Sequence, residues 1–276
     1  MELTVPVTLA VLGGALLHAA WNALVKGSAD KELDTCAVAA GAGAVALVTL
    51  PFLPIPAAAS WPWLAASAAV HVLYFAFLAG AYRYGDLSYA YPIMRGGGPL
   101  VVAATAAFVF QESLKHSQWL GVLLVCGGVL AFATGPHDRR ATLFAVANAA
   151  VIAAYTLIDA QGARASEAPV AYTLWFFAAN ALTIAAMGMM RRGVAVPHYL
   201  RRHWLRALAG GACSVGSYAV ALWAMTRAPV ALVAVLRETS VIFGAILAAA
   251  VLHEKLTRRR LIATGAVLAG LVALKL

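Results

Sequence analysis

Charged residues are scarce in this chain. Asp, Glu, Lys and Arg together make up 11% of its 276 residues, whereas 63% are hydrophobic. A soluble domain carries about 25% charged residues, and the mean hydropathy here is +0.84. There is too little polar surface to cover a water-soluble globule, so the composition predicts an all-α polytopic membrane protein.

Cysteines and carboxylates are also few. The three cysteines, Cys36, Cys126 and Cys213, lie far apart inside apolar runs, which gives neither a disulfide framework nor metal-ligand spacing. The 11 acidic residues are scattered, and no glycine-rich phosphate loop is evident. We therefore predict no metal, no cofactor and no enzymatic activity. An integral-membrane enzyme acting on a lipid-linked substrate, or a non-transporting membrane scaffold, remains the alternative.

The basic residues give the chain a formal net charge of +9. They form short clusters between apolar runs and no stripe on a polar domain, so nucleic acid is not the predicted partner. The predicted partners are membrane lipids and a small-molecule substrate. The sequence Met1-Glu2-Leu3-Thr4 lacks a basic n-region, which predicts that the first apolar run is a span and not a cleaved signal.

Ten segments are apolar for long enough to cross a bilayer, which takes about 20 residues. Short polar or proline-rich connections separate them, so no soluble domain is expected. The predicted spans are 3–25, 35–53, 61–82, 87–110, 117–134, 141–160, 168–190, 204–225, 229–252 and 258–275.

Lysine and arginine are unevenly shared between the two sides of these spans. The connections after odd-numbered spans hold fourteen of them and the other side holds four. Because cytoplasmic loops carry the excess of Lys and Arg, we expect a multi-pass protein of the bacterial inner membrane with both termini in the periplasm.

The two halves of the chain repeat one another. Glu112, Leu114, Gly128 and Arg95 each recur 142 positions later, as Glu254, Leu256, Gly270 and Arg237. This predicts a first five-helix repeat at 1–134, a connecting loop at 135–140 and a second repeat at 141–276. An odd number of spans inverts the second copy, and inverted repeats commonly enclose a transporter substrate site near the bilayer midplane.

The Glu112-x-Leu114 pattern with Gly121 and Gly128, and its partner Glu254-x-Leu256 with Gly270, resembles the EamA repeat of the drug/metabolite transporter superfamily. The sequences 18–22 (HAAWN) and 154–156 (AYT) also fit that family. The resemblance covers both halves and, more weakly, extends to the YddG-type exporters of aromatic and other amino acids.

This resemblance implies ten helices around a central cavity and export of metabolites or amino acids. Because ten helices in one chain need no second chain to complete the inverted pair, we predict a monomer. Small members of the superfamily couple transport to protons through a glutamate in their first helix. The first predicted helix here has no acidic residue after Glu2. Proton coupling by that route is therefore not predicted.

Polar side chains inside a bilayer normally face the protein interior or a wet cavity. Several predicted helices carry aromatic and hydrogen-bonding residues on one face at i, i+3, i+4 spacing, which suits a substrate with a large apolar or aromatic side chain and polar ends. The predicted substrate-binding residues are His18, Trp21, Asn22, His71, Tyr74, Phe75, Tyr82, Tyr155, Trp175, Asn180, Ser214, Ser217 and Tyr218. Asn148, Asp159, Tyr172 and Phe176 lie on the same faces.

Arg95 and Arg237 lie within otherwise apolar helices, where a guanidinium could clamp a carboxylate or serve as a symmetric gate. Gly96, Gly97, Gly98 and Pro99 follow Arg95, whereas Glu238 follows Arg237. Glycines and proline loosen or kink a helix. We therefore assign these residues gating or structural roles, and predict a bent fourth helix and a straighter ninth.

Overall fold

The computed structural model describes residues 3–109, 111–136, 138–251 and 257–275, and within them every regular element is helical. The α-helices are α1 (Val5–Lys26), α2 (Lys31–Thr49), α3 (Trp61–Tyr84), α4 (Leu87–Val109), α5 (His116–Leu130), α6 (Arg139–Ala165), α7 (Pro169–Arg192), α8 (Ala195–Arg202), α9 (Trp204–Met225), α10 (Val230–Leu236), α11 (Ser240–Val251) and α12 (Arg258–Lys275). Short 3-10 turns cover Leu50–Phe52, Ala58–Ser60 and Arg237–Thr239.

The predicted spans are confirmed as helices. Eight helical segments in the described part of the chain are long and apolar enough to cross a membrane, and α5 is a shorter apolar helix. Helix α12 occupies the tenth predicted span, and α10 and α11 together occupy the ninth. Helix α8 was not predicted. It is short and has no buried residue, and it connects α7 to α9 at the basic end of the bundle.

The two ends of the bundle are defined by contacts between connections. At one end, called the basic end, Arg192 pairs with Glu32 and Arg206 pairs with Asp34. At the other, called the opposite end, Ala57 N–H donates to Ser166 O at 3.0 Å. Helix α1 therefore runs toward the basic end and α6 runs away from it, so the first helices of the two halves are inverted.

Helix packing follows the same symmetry. Helix α1 packs on α9 as α6 packs on α3, and α1 packs on the α10–α11 segment as α6 packs on α4. Helix α2 packs on α7, and α5 on α12. Exchanging each helix for its counterpart in the other half leaves these contacts in place, although α2 packs far more extensively on α9 than its counterpart α7 packs on α3.

The α5–α12 contact shows the symmetry at residue level. A Cβ on Gly128 would lie 2.8 Å from Val267, and a Cβ on Gly270 would lie 2.7 Å from Val125. Gly270 and Val267 lie 142 positions after Gly128 and Val125, so the two contacts are one contact repeated about a two-fold axis. Small residues here let the helix backbones approach closely. Glu254 and Leu256 of the repeated motif lie outside the described residues.

The predicted bend at the glycine run is wrong, because α4 is α-helical from Leu87 to Val109. The glycines serve close packing instead. A Cβ on Gly96 would meet Cys126 O of α5 at 2.8 Å, and one on Gly98 would meet Ile152 of α6 at 2.8 Å. Neighbouring helices therefore pack closely along the segment, which stays α-helical although Pro92 and Pro99 lie inside it.

The interruption lies in the ninth span, which was predicted to be the straighter one. A 3-10 turn at Arg237–Thr239 separates α10 from α11. Thr239 Oγ1 donates to Leu236 O at 2.8 Å, and Ser240 Oγ accepts a hydrogen bond from Arg95 of α4. These polar contacts stabilise the tighter turn. The hydrogen bond from Arg95 forms only in the tertiary structure, because it joins two different helices.

Acidic residues at the start of α2 meet arginines at the end of α7. Arg192 binds the Asp30 carboxylate with one nitrogen and Glu32 Oε2 at 3.0 Å with another. The hydrogen bond from Arg192 holds the pKa of Asp30 below its ordinary value. A carboxyl group whose pKa is lower in the folded than in the unfolded state stabilises the fold at pH values above its unfolded-state pKa. This stabilisation is lost as the pH falls through the folded-state pKa.

We expect Asp30→Asn to lower the melting temperature slightly near pH 7, where exposed pairs contribute at most about 1 kcal/mol. The difference from the unsubstituted protein should disappear as pH falls through the folded-state pKa of Asp30, because Asp30 is then protonated in both states. Thermal unfolding in detergent across this range is the measurement. A difference independent of pH would contradict the assignment.

Candidate functional site

The centre of the bundle holds a buried ion pair between the halves. Arg95 on α4 reaches the helix interruption, where its Nη2 lies 3.0 Å from Glu238 Oε1 and donates to Ser240 Oγ at 3.2 Å. Glu238 is only 2% exposed. Arg95 Nε and Glu238 Oε2 are buried and have no hydrogen-bond partner among the described residues. The pair thus retains one donor and one acceptor for another molecule.

Aromatic rings from three helices lie together, and two of them, Tyr74 and Tyr155, lie near the Arg95 guanidinium. The His71 ring lies 4.3 Å from that of Tyr155 and 4.7 Å from that of Phe176, centroid to centroid. Tyr74 meets Tyr155 edge-on at 5.9 Å and Phe75 at 5.2 Å. Offset and edge-to-face contacts are the favoured geometries of aromatic pairs. We call His71, Tyr74, Tyr155 and Phe176 the aromatic wall.

A buried carboxyl group lies behind the aromatic wall, toward the opposite end. Asp159 on α6 is 0% exposed. Its Oδ1 accepts a hydrogen bond from Tyr172 OH at 3.0 Å, and its Oδ2 accepts one from Tyr218 OH at 2.6 Å. His71 Nδ1–H donates to Ser67 O at 2.9 Å, which fixes the ring next to this carboxyl group.

Arg237 does not mirror Arg95, although the two occupy equivalent positions in the repeats. Its guanidinium stands over the Tyr218 ring at 5.2 Å, whereas Arg95 forms the ion pair. His18 and Trp21 of α1 are in edge contact at 5.3 Å. These contacts therefore do not form the predicted symmetric gate of two equivalent arginines.

Access to the centre differs between the two ends. Toward the basic end the lining side chains are partly exposed, and Tyr82 is 37% exposed. Helix α10, at the opposite end, packs on α4 and α5, and all its residues are buried. Helix α11 packs mainly on α1. We call the surface lined by the partly exposed side chains of Tyr74, Tyr82, Tyr91 and Tyr155, on the side of the basic end, the crevice.

The opposite end is closed by contacts around Glu112, the first member of the repeated motif. Its Oε1 pairs with Arg164 at 3.0 Å, and its Oε2 accepts a hydrogen bond from Val230 N–H at 2.9 Å. Arg164 Nε also donates to Met225 O at 2.9 Å. These bonds join α6 and the α4–α5 connection to the facing ends of α9 and α10. A pocket of about 350 Å³ lies beside them at the surface.

We expect Glu112→Gln to loosen this end, because the amide keeps an acceptor for Val230 N–H but loses the ion pair with Arg164. A single cysteine at Ala228, which is 0% exposed, should then react several-fold faster with a membrane-impermeant maleimide in a background without the native cysteines. Glu167→Gln is the matched control, since Glu167 is exposed at the same end. Equal labelling rates in both variants would contradict the closure.

Some predicted binding residues lie outside the crevice or are committed elsewhere. Trp175 is 36% exposed and meets Trp61 edge-on at 5.3 Å, so it sits beside an interfacial tryptophan. The Asn22 amide donates to His18 O of its own helix at 2.8 Å. Ser217 is buried where α9 packs on α1, next to Gly14. Ser214 and Asn180 are half-buried, without a side-chain hydrogen bond within the described ranges.

Other residues at the centre were not among the predicted binding residues. Asp159 and Phe176 share helix faces with Tyr155 and Tyr172, which was visible in the sequence, but their burial was not. Tyr91 precedes Arg95 by one helical turn and lies near its guanidinium. Asn148 is the last of these central residues, and its amide donates to Met94 Sδ at 3.0 Å. No sequence spacing links α6 to α4 and identifies that contact.

Comparison with known proteins agrees with this architecture. A protein of known crystal structure is similar over 97% of this chain and 96% of its own, with a TM-score of 0.74 and 19% sequence identity. At that identity the similarity shows the fold. A search of curated proteins gives no match. The profile of the EamA-like transporter family matches residues 139–276, half of the chain. This multi-pass membrane protein therefore belongs to the EamA-like transporter family of the drug/metabolite transporter superfamily.

Proposed function

We propose that this transporter exports amino acids with aromatic or large apolar side chains from the cytoplasm. The observation that carries the proposal is the unpaired Arg95 Nε–H and the unpaired Glu238 Oε2 next to the aromatic wall. A zwitterionic amino acid needs an acceptor for its ammonium group and a donor for its carboxylate. Its side chain needs an apolar surface, and a few placed polar groups on an otherwise apolar lining are typical of small-molecule sites.

The charges of the site favour a zwitterion over an ion of one sign. Arg95 and Glu238 pair closely, so a purely anionic ligand would compete with Glu238 and a cationic one with Arg95. A zwitterion replaces both halves of the pair at once and leaves no buried charge alone, which matters because an uncompensated buried charge is strongly destabilising.

Export follows from the orientation that the positive-inside rule gives. The basic end then faces the cytoplasm, both termini face the periplasm, and the crevice in this conformation is open to the cytoplasm. We further propose that residues 1–134 and 141–276 are the two repeats and that they exchange conformations to open the opposite end. The symmetric helix contacts support this route to alternating access.

The test is counterflow in proteoliposomes that contain the purified protein. With unlabelled phenylalanine inside, labelled phenylalanine or tryptophan should enter in a saturable way, whereas glycine should compete poorly because it leaves the aromatic wall uncovered. Empty liposomes are the control. Counterflow of no amino acid, or equal competition by glycine and tryptophan, would contradict the proposed substrate.

His71→Ala should weaken competition by aromatic amino acids more than competition by alanine. The substitution removes a ring that contacts both Tyr155 and Phe176, and one aromatic pair contributes about 0.5–1.5 kcal/mol beyond area burial. Trp175→Ala is the matched control, because Trp175 lies outside the crevice. A uniform loss for all substrates in His71→Ala would indicate a structural role for the histidine.

A further inference from the structure

Asp159 is the buried carboxyl group to which the proposed binding site gives no role. It is 0% exposed. The hydrogen bonds that it accepts come from neutral phenol groups, those of Tyr172 and Tyr218, and the Ser67 hydroxyl also faces it. Within the described part of the chain, no arginine or lysine forms an ion pair with it.

A carboxylate in such a place is costly. An ionised group without a paired counter-charge loses most of its solvation when buried, and in practice such a group takes up a proton. Ionisable side chains inside a membrane protein, away from lipid, commonly mark ion or proton pathways. Three hydroxyl groups stabilise either protonation state, so the site can hold a proton and release it.

We propose that Asp159 is a proton-binding site and that the transporter exchanges one proton for each substrate molecule. This inference rests on the proposed function for the identity of the substrate. A hydronium ion gives up the proton that forms the O–H bond of the Asp159 carboxyl group, and the proton returns to water when that bond breaks, with a transient N–H bond on His71 Nε2 where the imidazole carries it. The proton enters from the side opposite to the one from which the substrate is taken up, and it leaves on the substrate's original side.

The neighbouring elements present few other titratable groups to Asp159. Helix α3 contributes His71, α7 contributes Tyr172 and α9 contributes Tyr218. Arg237 of the helix interruption stands over Tyr218, Arg95 of α4 is bound to Glu238, and every residue of α10 is apolar. His71 is therefore the base nearest to the carboxyl group.

His71 also connects this carboxyl group with the crevice. Its Nδ1–H is occupied by Ser67 O at 2.9 Å, so the other ring nitrogen, Nε2, is the acceptor in the neutral imidazole. The ring contacts Tyr155 and lies 6.0 Å from Tyr74, both partly exposed to the crevice. A proton that leaves Asp159 toward the basic end can pass through this imidazole.

Proton occupancy is tied to the conformation through the helices that Asp159 joins. Its bonds to Tyr172 and Tyr218 hold α6 against α7 and α9 close to the closed end. Opening that end separates α6 from α9, and water then reaches the carboxyl group from the opposite side. Closing it buries the carboxyl group again, which favours the protonated form.

The experiment compares unsubstituted protein with Asp159→Asn, which keeps the size of the side chain and an acceptor oxygen. Labelled phenylalanine is followed in proteoliposomes under an imposed pH gradient and, separately, in counterflow without a gradient. Exchange of a neutral zwitterion with one proton moves one positive charge, so with the membrane potential held at zero a gradient of one pH unit supports about tenfold accumulation. We expect the unsubstituted protein to approach this value, and Asp159→Asn to lose accumulation while it retains counterflow.

A second measurement does not depend on transport. Infrared spectroscopy of the purified protein near neutral pH should show a carbonyl band of a protonated carboxyl group that Asp159→Asn lacks. Asp86→Asn, at an exposed carboxylate, is the control and should retain the band.

The outcomes separate the two proposals. Counterflow without any response to a pH gradient, or accumulation that Asp159→Asn retains, would overturn the proton site and leave the proposed function intact. Absence of counterflow with every amino acid would overturn the proposed function. The infrared band then still decides whether Asp159 binds a proton, and its absence from the unsubstituted protein would overturn the proton site.

Discussion

Arg95→Ala is expected to abolish counterflow and to lower stability by about 3–5 kcal/mol, because it leaves Glu238 charged, buried and without its partner. Glu238 is 2% exposed, and its Oε1 lies 3.0 Å from Arg95 Nη2. Thermal unfolding in detergent measures the stability. Counterflow with labelled phenylalanine measures the function.

A double substitution separates the two effects. Arg95→Met with Glu238→Leu removes both charges and fills the space with apolar atoms, a replacement that is often neutral or stabilising for buried ion pairs. We expect it to restore the melting temperature and not the counterflow. Counterflow in this variant would show that the ion pair does not bind the substrate. An unchanged melting temperature in Arg95→Ala would contradict the burial of the pair.

Gly41→Ala is expected to destabilise the protein by about 1–3 kcal/mol or more, in the range of other overpacked sites. A Cβ at Gly41 of α2 would lie 2.0 Å from Ala207 O of α9, and one at Gly211 of α9 would lie 2.2 Å from Ala42 N of α2. The obstacle is backbone on both sides, so the helices must separate. Thermal unfolding is again the measurement.

Gly127→Ala is the matched control for this prediction. Gly127 is also inside a helix, but a Cβ there meets nothing within 4 Å. Alanine in a helix interior is more favourable than glycine by about 0.5–1 kcal/mol, so this variant should melt at the same or a higher temperature. If both substitutions had the same effect, the close α2–α9 contact would be refuted.

The glycine run in the fourth span illustrates why part of the fold escaped prediction. Gly96 and Gly98 predict a weak point if the helix is considered alone, because glycine and proline lower helix stability. In the folded chain, α5 and α6 pack closely against these two positions, and the segment stays α-helical. The ninth span predicts a regular helix, yet it tightens at Arg237–Thr239, where polar side chains find partners on other helices.

The candidate site divides in the same way. His18, His71, Tyr74, Tyr155 and Tyr218 were predictable, since polar and aromatic side chains on one face of a spanning helix turn away from lipid. Trp175 obeys the same spacing and lies instead beside Trp61. Helical spacing defines a face, but it does not define which of two neighbours that face meets.

The sequence by itself predicted a helical protein that crosses a membrane about ten times and whose second half is an inverted copy of its first. Both follow from local quantities, namely the length of apolar runs against the thickness of a bilayer and an odd number of spans in the repeated unit. The tertiary structure alone decided that Arg95 pairs with Glu238 and that Asp159 meets Tyr172 and Tyr218. The physical reason is that these contacts join side chains on different helices, and their formation depends on how the helices pack rather than on the spacing within any one of them.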